Sequence, residues 1–301
     1  MEGVHKVAIK KLTKGEVLVD EPLKNHTYFK IGGPAAILVI PEDVGELKEL
    51  ITYLYQNQIP YRVIGRGSNL LINDAGLSEV VIKLTRINKK IRFAGNKVRV
   101  GAGVLLPKLA LEVAKKGLSG LEFGIGIPAT VGGATFMNAG IGDLRSIGDL
   151  LSRVKIIKED GEIKWYLSEE LEFSYRRSSF QGNNDIILEV ELILKPGNLK
   201  EIEEEMKDLI NKRKRSQPIS KPNAGCIFKN PKGDSAGRLI DLAGGKGLKV
   251  GGAEVSSKHA NFIINSGEAT AKDVVELISK IEDLVYQKFG VKLVREVKYL
   301  D

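Results

Sequence analysis

Residues Gly120–Gly142 read GLEFGIGIPATVGGATFMNAGIG, and this stretch decides the fold. Glycine stands at 120, 124, 126, 132, 133, 140 and 142, and Ala129, Ala134 and Ala139 are nearly as small. Each glycine gives up backbone entropy without contributing a packed side chain, so neither a helix nor a central strand is expected here. Glycines this dense let the backbone come close to something else. The polar groups among them, Thr130, Thr135 and Asn138, are small. The stretch reads as main-chain N–H groups lying against a large, flat, partly anionic ligand. Within it, Gly124–Ala129 mimics the dinucleotide fingerprint G-x-G-x-x-A. The match is rejected because Pro128 occupies the turn, no clear strand leads in, and glycines follow where a helix should open.

A second glycine loop lies upstream. Apolar residues at Val44, Leu47, Leu50, Ile51 and Leu54 mark one face of a helix between strands Ala36–Ile40 and Tyr61–Ile64, a β-α-β unit. It runs into Gly65-Arg-Gly-Ser-Asn-Leu-Leu-Ile72. A tight glycine-serine turn at a strand's end holds phosphate through backbone amides, or is a plain β-turn. It lacks the lysine and spacing of a P-loop.

The remaining chain alternates strands and helices. Residues 1–19 fit a helix or a strand. Val80–Leu84 is a strand, Lys90–Val104 a hairpin around Gly95-Asn96, and Pro107–Lys116 a helix ended by Gly117. Val154–Trp165 is a hairpin closed by Asp160-Gly161, and Ile186–Leu194 a strand. Asn198 and Glu201 open a helix to about Asn211, and Lys212–Arg215 suit its C-terminus better than a nucleic-acid patch. Ala236–Ala243 is a short helix and Lys258–Asn265 a strand. Thr270 and Asp273 cap a helix to about Phe289, and Val291–Leu300 closes the chain as a strand.

Composition narrows the function. The 301 residues exceed one core's worth of chain, so two or three lobes are expected. No run approaches the ~18 apolar residues of a membrane span, and MEGVHKVAIKK has no signal-peptide core. The single cysteine, Cys226, excludes an internal disulfide, and three scattered histidines make a zinc site improbable. A reducing, cytoplasmic location is expected. Net charge +8 and a pI near 9.3 suit a polyanionic partner. No nucleic-acid recognition module is readable, whereas a small ligand with phosphates and carboxylates fits.

No hydrolytic triad or paired-carboxylate motif is readable. The polar loops offer Arg176, Cys226 and Glu296: a fixed cation, a thiol able to give a proton, and a carboxyl. Singly, each has a dull explanation in solvation or burial.

Six segments in collinear order change that balance. They are Asn25–Ala35, Gly65–Ile72, Gly126–Gly140, Tyr175–Phe180 (YRRSSF), Asn223–Pro231 (NAGCIFKNP) and Glu296-Val-Lys-Tyr. Together they closely resemble the UDP-N-acetylenolpyruvoylglucosamine reductase (MurB) family of flavoenzymes in peptidoglycan synthesis. The resemblance implies an α+β fold: a two-subdomain FAD-binding fold (PCMH/vanillyl-alcohol-oxidase-like) plus a C-terminal α+β substrate-binding lobe. The implied parts are 1–85 and 86–213 for the cofactor and 214–301 for the substrate, with the last strand (about 292–301) returning to the flavin site. It implies non-covalent FAD contacted by Gly65, Arg66, Gly67, Ser68, Asn69 and Leu70. On the second loop it implies Gly126, Pro128, Ala129, Thr130, Gly132, Gly133, Asn138, Ala139 and Gly140.

The implied activity is that of an NADP-dependent UDP-N-acetylmuramate dehydrogenase serving cell-wall biogenesis, cell shape and cell division. NADPH reduces the flavin and leaves. N5 then gives hydride to the enolpyruvyl methylene carbon of UDP-N-acetylglucosamine enolpyruvate. Arg176 stabilises the enolate-like charge, Glu296 sits beside the same carboxylate as a protonated acid, and Cys226 protonates the adjacent carbon. The family more often has serine at that position. A thiol, with reference pKa ~8.5, is the stronger acid, so the role survives, with an added liability to oxidation. Tyr175, Arg215, Asn230 and His259 match regions that contact substrate. The short segment before Ile186 places the chain with the type lacking an inserted tyrosine loop. A monomer without metal, nucleic-acid or membrane partners is expected. An FAD-dependent oxidase of the same cofactor fold, acting on an alcohol, is the alternative. Such oxidases commonly tether flavin through His or Cys, which the glycine loops lack.

Overall fold

The computed structural model describes residues 3–142 and 145–301, so Met1 and Glu2 of the undecided N-terminal segment lie outside the described residues. The chain groups into two compact units. The first is built from Met1–Val19, Ala36–Arg66 and Ser78–Asn211, the second from Asp20–Ala35, Gly67–Leu77 and Lys212–Asp301. Segments 20–35 and 67–77 thus pack with the C-terminal part.

The first unit has two cores. Helix α1 (Gly3–Leu12) and strand Glu16–Pro22 settle the start of the chain. A four-stranded sheet runs in the order Glu16–Pro22, Pro34–Ile40, Leu77–Lys83, Tyr61–Ile64. The expected β-α-β unit is present, with helix α2 (Val44–Gln56) between its strands. Those strands are not neighbours. Leu77–Lys83 lies between them and pairs in parallel with Tyr61–Ile64. Asp43 caps α2 by accepting the Glu46 N–H at 2.9 Å. Leu47, Leu50, Ile51 and Leu54 are fully buried against Ile37, Val39, Val80 and Ile82. Such burial stabilises by about 1.5–3 kcal/mol per side chain.

The second core lies under a five-stranded sheet in the order Ile163–Leu167, Leu151–Ile157, Ile186–Ile193, Lys97–Gly101, Ile91–Ala94, antiparallel throughout. Both expected hairpins are present. Gly95 and Gly161, in the left-handed region at φ +60° and +85°, supply their turns. Helix α3 (Leu106–Ala114) follows, with Pro107 in its first turn. The glycine-rich stretch departs from expectation here, because Val131–Phe136 forms a short helix, α4. Thr130 caps it, its Oγ1 accepting the Gly133 N–H at 3.2 Å. A Cβ on Gly132 would lie 2.8 Å from Ala102 Cβ. Close helix packing thus outweighs the poor helix propensity of glycine.

Helix α5 (Leu199–Ser216) runs past Asn211 and carries Arg213, Lys214 and Arg215 in its last turn. The second unit continues with α6 (Ala236–Leu242) and α7 (Ala271–Phe289). Thr270 and Asp273 form the capping box expected for α7, and Gly290, at φ +68°, ends it. Val274, Leu277, Ile278, Ile281 and Val285 bury the inner face of α7 with Leu239, Ile240, Ile227 and Phe228. A sheet of Lys249–Val250, Ala253–Val255 and Ile263–Asn265 completes the core, its first two strands unforeseen. Two expected strands are shorter than read. Lys258–Asn265 is regular only from Ile263, because the chain turns through a Phe262 N–H to His259 O bond of 3.0 Å. The closing strand is regular only over Lys298–Leu300, which pairs in parallel with Leu70–Ile72.

No helix among the described residues is long and apolar enough to cross a membrane.

One acid in the first unit gives a pH prediction. Burial, with Glu159 adding repulsion and Lys158 opposing, raises the Asp185 carboxyl above its usual range. Nearby, burial and the Glu159 and Asp185 charges push the Tyr61 hydroxyl up to about 12. Because the folded state binds the Asp185 proton more tightly than the unfolded chain, ionised Asp185 opposes folding at neutral pH. Asp185→Asn should therefore unfold at higher urea than the parent at pH 7, with the gap closing as pH falls toward about 4. A variant less stable at pH 7 would contradict this.

Candidate active site

In the first unit the two glycine loops meet. A Cβ on Gly65 would lie 2.8 Å from Thr130 Oγ1, so the turn can pass only as glycine. Gly126, Pro128, Ala129, Gly132, Gly133, Ala139 and Gly140 are half-buried and present no long side chain. The expected amide cradle is only partly available. Val131 N–H donates to Val104 O at 2.8 Å, Gly132 N–H to Ala102 O at 3.0 Å, and Gly133 N–H to the Thr130 cap. What Gly132 and Gly133 offer a ligand is the absence of a side chain. Asn138 is likewise engaged. Its Nδ2 donates to Ser174 O at 2.8 Å and its Oδ1 accepts the Gly148 N–H at 2.9 Å.

Arg176 belongs to this unit. Phe173–Ser174 pairs with Arg177–Ser178, leaving Tyr175 and Arg176 as a two-residue turn. Arg176 sits at φ +55°, where glycine is the usual residue. Holding a long side chain there costs roughly 1–2 kcal/mol and marks a constrained position. Its guanidinium donates to Gly140 O at 2.8 Å and lies 4.9 Å from the Tyr175 ring centroid. Ser178 Oγ and Gln181 Nε2 donate to Phe136 O at 2.6 and 2.9 Å. The hairpin is thus laced to the end of the glycine-rich stretch.

The second unit brings together residues more than 200 positions apart. Glu296 N–H donates to Ile227 O at 2.7 Å and Lys229 N–H to Val294 O at 2.8 Å, so the Cys226–Lys229 segment lies along 294–297. Asn69 Nδ2 donates to Glu296 O at 3.1 Å, and Lys298 N–H to Asn69 O at 3.0 Å. Cys226, Glu296 and Asn69 are therefore neighbours along one backbone ladder. Gly67, at φ +68°, leaves no space for a Cβ against His26 O, and its own O accepts the Tyr28 N–H at 3.1 Å. Ser68 and Leu70, on either side of Asn69, are half-buried.

Cations collect around this ladder. Burial lowers the Lys298 pKa, and Lys229 beside it adds to the shift. Burial also lowers that of Arg213, opposed by Cys226 and Tyr28. Arg213 thus stands within electrostatic reach of Cys226, whereas Arg215, the residue singled out from the sequence, is exposed on α5. Nothing in the Lys-Arg-Lys-Arg run distinguishes the two. Asn230 is exposed, and its Oδ1 accepts the Ala236 N–H at 3.1 Å, at the start of α6. His259 is half-buried, 4.8 Å from the Phe262 ring, its Nδ1 accepting the Asn261 N–H at 3.2 Å. Burial and Lys246 lower its pKa, favouring the neutral ring. Asn261 itself was missed, because it fell inside a presumed strand. Among the described residues, no group of three or more His, Cys, Asp or Glu side chains is placed to hold a metal ion.

These features suit a flavin nucleotide. The strip from Gly126 to Gly140 lets a flat ring or a pyrophosphate approach to backbone distance, and Arg66 supplies a cationic side chain in the same unit. The profile of the FAD binding domain family matches residues 35–166, and the chain is accordingly a flavoprotein oxidoreductase with an FAD-binding domain. The profile of the UDP-N-acetylenolpyruvoylglucosamine reductase C-terminal domain matches residues 217–300. The UDP-N-acetylenolpyruvoylglucosamine reductase of Alkaliphilus oremlandii is 46% identical over 98% of this chain and 96% of its own. That of Bacillus subtilis is 42% identical over 97% and 96%. The crystal structure of the Thermus caldophilus enzyme (MurB) superposes with a TM-score of 0.80 at 42% identity, covering 96% of this chain and 99% of that one. The chain belongs to the UDP-N-acetylenolpyruvoylglucosamine reductase family. Its α+β fold, FAD-binding part and role in peptidoglycan synthesis follow, and the alcohol-oxidase alternative gains no support.

The strained turn gives a prediction. Arg176→Gly and Arg176→Ala both remove the guanidinium, and they differ chiefly in backbone freedom at φ +55°. The glycine protein should be the more stable by about 1 kcal/mol in denaturant unfolding. An alanine protein equal to or above it would show that the turn is unstrained.

Proposed function

We propose that this chain reduces UDP-N-acetylglucosamine enolpyruvate to UDP-N-acetylmuramate, with NADPH as reductant. Three functional parts serve the reaction: cofactor subdomains 1–85 and 86–213, and a substrate lobe 214–301. The two separate cores of the first unit support two cofactor subdomains, while segments 20–35 and 67–77 pack with the C-terminal part, so the parts interleave along the chain. The enzyme works as a monomer in the cytoplasm. FAD, held along Gly126–Gly140 and Gly65–Leu70, would supply the redox chemistry, carrying hydride from NADPH to the enolpyruvyl methylene carbon.

The chain's own groups manage charge and proton. Hydride addition to the methylene carbon places negative charge on the neighbouring carbon and its carboxylate. Arg176 stabilises that charge, and the rigid hairpin that fixes its backbone keeps reorganisation small. Glu296 stands beside the same carboxylate as a hydrogen-bond donor. Cys226 gives the Sγ–H proton to the carbon next to the carboxylate. The observation that supports this reading best is the Ile227–Glu296 backbone bond of 2.7 Å, which brings the main chain next to Cys226 up to that of Glu296. Tyr175, Arg215, Asn230 and His259 are assigned to the sugar nucleotide. Lys229, Lys298 and Arg213 make the same region cationic, in keeping with a substrate that carries a diphosphate and a carboxylate.

Anaerobic stopped-flow absorbance of the flavin, with each substrate in turn, tests the reading. Cys226→Ala should still be reduced by NADPH, but its reoxidation by the enolpyruvyl sugar nucleotide should slow by about 10²–10⁴-fold. Cys226→Ser should keep much of the turnover. An alanine protein that turns over normally would falsify the proton-donor assignment. Arg176→Ala should impair reoxidation more than reduction, and equal losses would reduce Arg176 to a binding role.

A further inference from the structure

The segment carrying Cys226 is fastened by a residue that no motif identified. Asn261 is 2% exposed. Its side-chain Nδ2 donates to Phe228 O at 2.8 Å, and its Oδ1 accepts the Phe228 N–H at 2.9 Å. Its own main-chain O accepts the Ile227 N–H at 2.9 Å. One buried amide thus satisfies both backbone groups of Phe228, as a neighbouring strand would, and the same residue secures Ile227. Phe228 is itself 1% exposed, so water cannot replace those bonds.

The arrangement links two parts of the candidate site. On one side Ile227 O accepts Glu296 N–H at 2.7 Å and Val297 N–H at 3.3 Å. On the other the Asn261 N–H is received by His259 Nδ1. The His259 ring in turn packs so closely that a Cβ on Gly237 would stand 3.1 Å from its Cε1. On the N-terminal side of Cys226, Gly225 turns the chain at φ +77°, its N–H donating to Asn223 Oδ1 at 2.9 Å. On the C-terminal side Cys226 is held through Ile227 and Phe228, the two residues that Asn261 fastens.

We propose that Asn261 is a positioning residue for proton delivery, holding the Cys226 segment in register with Glu296. The inference rests on Cys226 being the proton donor. A side-chain amide is suited to the task because it offers one donor and one acceptor in a single plane, matching the two groups of Phe228. An aspartate keeps the acceptor and sets an oxygen against Phe228 O, and an alanine removes both.

The test uses the FAD-loaded full-length protein and the two half-reactions followed separately. For Asn261→Ala, NADPH should reduce the flavin at within about threefold of the parent rate. Reoxidation by the enolpyruvyl sugar nucleotide should slow roughly 30-fold or more, since misplacement by about 1 Å carries losses of this order. The loss should fall on kcat rather than KM, and the solvent deuterium isotope effect on reoxidation should rise as proton delivery becomes limiting. A fault of overall packing would slow both half-reactions and leave the isotope effect unmoved. If the alanine protein does not fold or load FAD, Asn261→Asp is measured instead, with the same split expected at smaller size. Equal slowing of both steps, or of neither, in the folded variant overturns the inference. Cys226→Ala run in parallel separates the two ideas. Normal reoxidation of Cys226→Ala removes the proton-donor reading and this inference with it. Stalled reoxidation there, with a normal Asn261 variant, removes this inference alone.

Discussion

The second unit depends on a few main-chain hydrogen bonds at the end of the polypeptide. Ile227 O receives Glu296 N–H, and Lys298–Leu300 pairs with Leu70–Ile72, so the last ten residues lie between segments that are distant in sequence. Val297 and Leu71 contribute to the same core as Ile227, Phe228 and the inner face of α7. Burying that apolar side is what makes the ladder stable, because backbone bonds alone contribute little net free energy. Half-buried Asn69, Cys226 and Glu296 stand beside those buried residues along the chain, and so their backbones become neighbours.

Glycine serves two purposes in this chain. At Gly65, Gly67, Gly132 and Gly140 a side chain would strike the protein's own atoms, so these glycines answer to internal packing. The half-buried strip that results is also smooth enough for a flat cofactor. Ligand approach and internal packing are therefore one constraint met by the same residues. The αL arginine at 176 makes the opposite choice: a side chain is kept where glycine would be less strained.

Much of this was legible in the residues. The face of α2, the hairpins at Gly95 and Gly161 and the Thr270–Asp273 cap each rest on local rules of period, turn geometry or capping, and each is present. The family was legible through collinear motifs rather than through any single signal, and the candidate site residues come from those motifs. Asn261 and Arg213 were not legible, because an asparagine in a short apolar run and one arginine in a basic run carry no local mark of their partners. The expectation that failed at α4 failed for the same reason. Low helix propensity is a local quantity, and it was outweighed by the contact of Gly132 with Ala102.

By itself the sequence determined the family and the alternation of elements, since these follow from motif order, spacing and residue chemistry along the chain. Only the tertiary structure decided that Leu77–Lys83 enters between the two strands of the β-α-β unit. It alone decided that segments 20–35 and 67–77 belong with the C-terminal part, and that Asn261 holds Phe228. These are pairings between residues far apart in the chain. They are set by which apolar faces bury together and which backbone groups then need partners, and neither quantity is written in any local stretch.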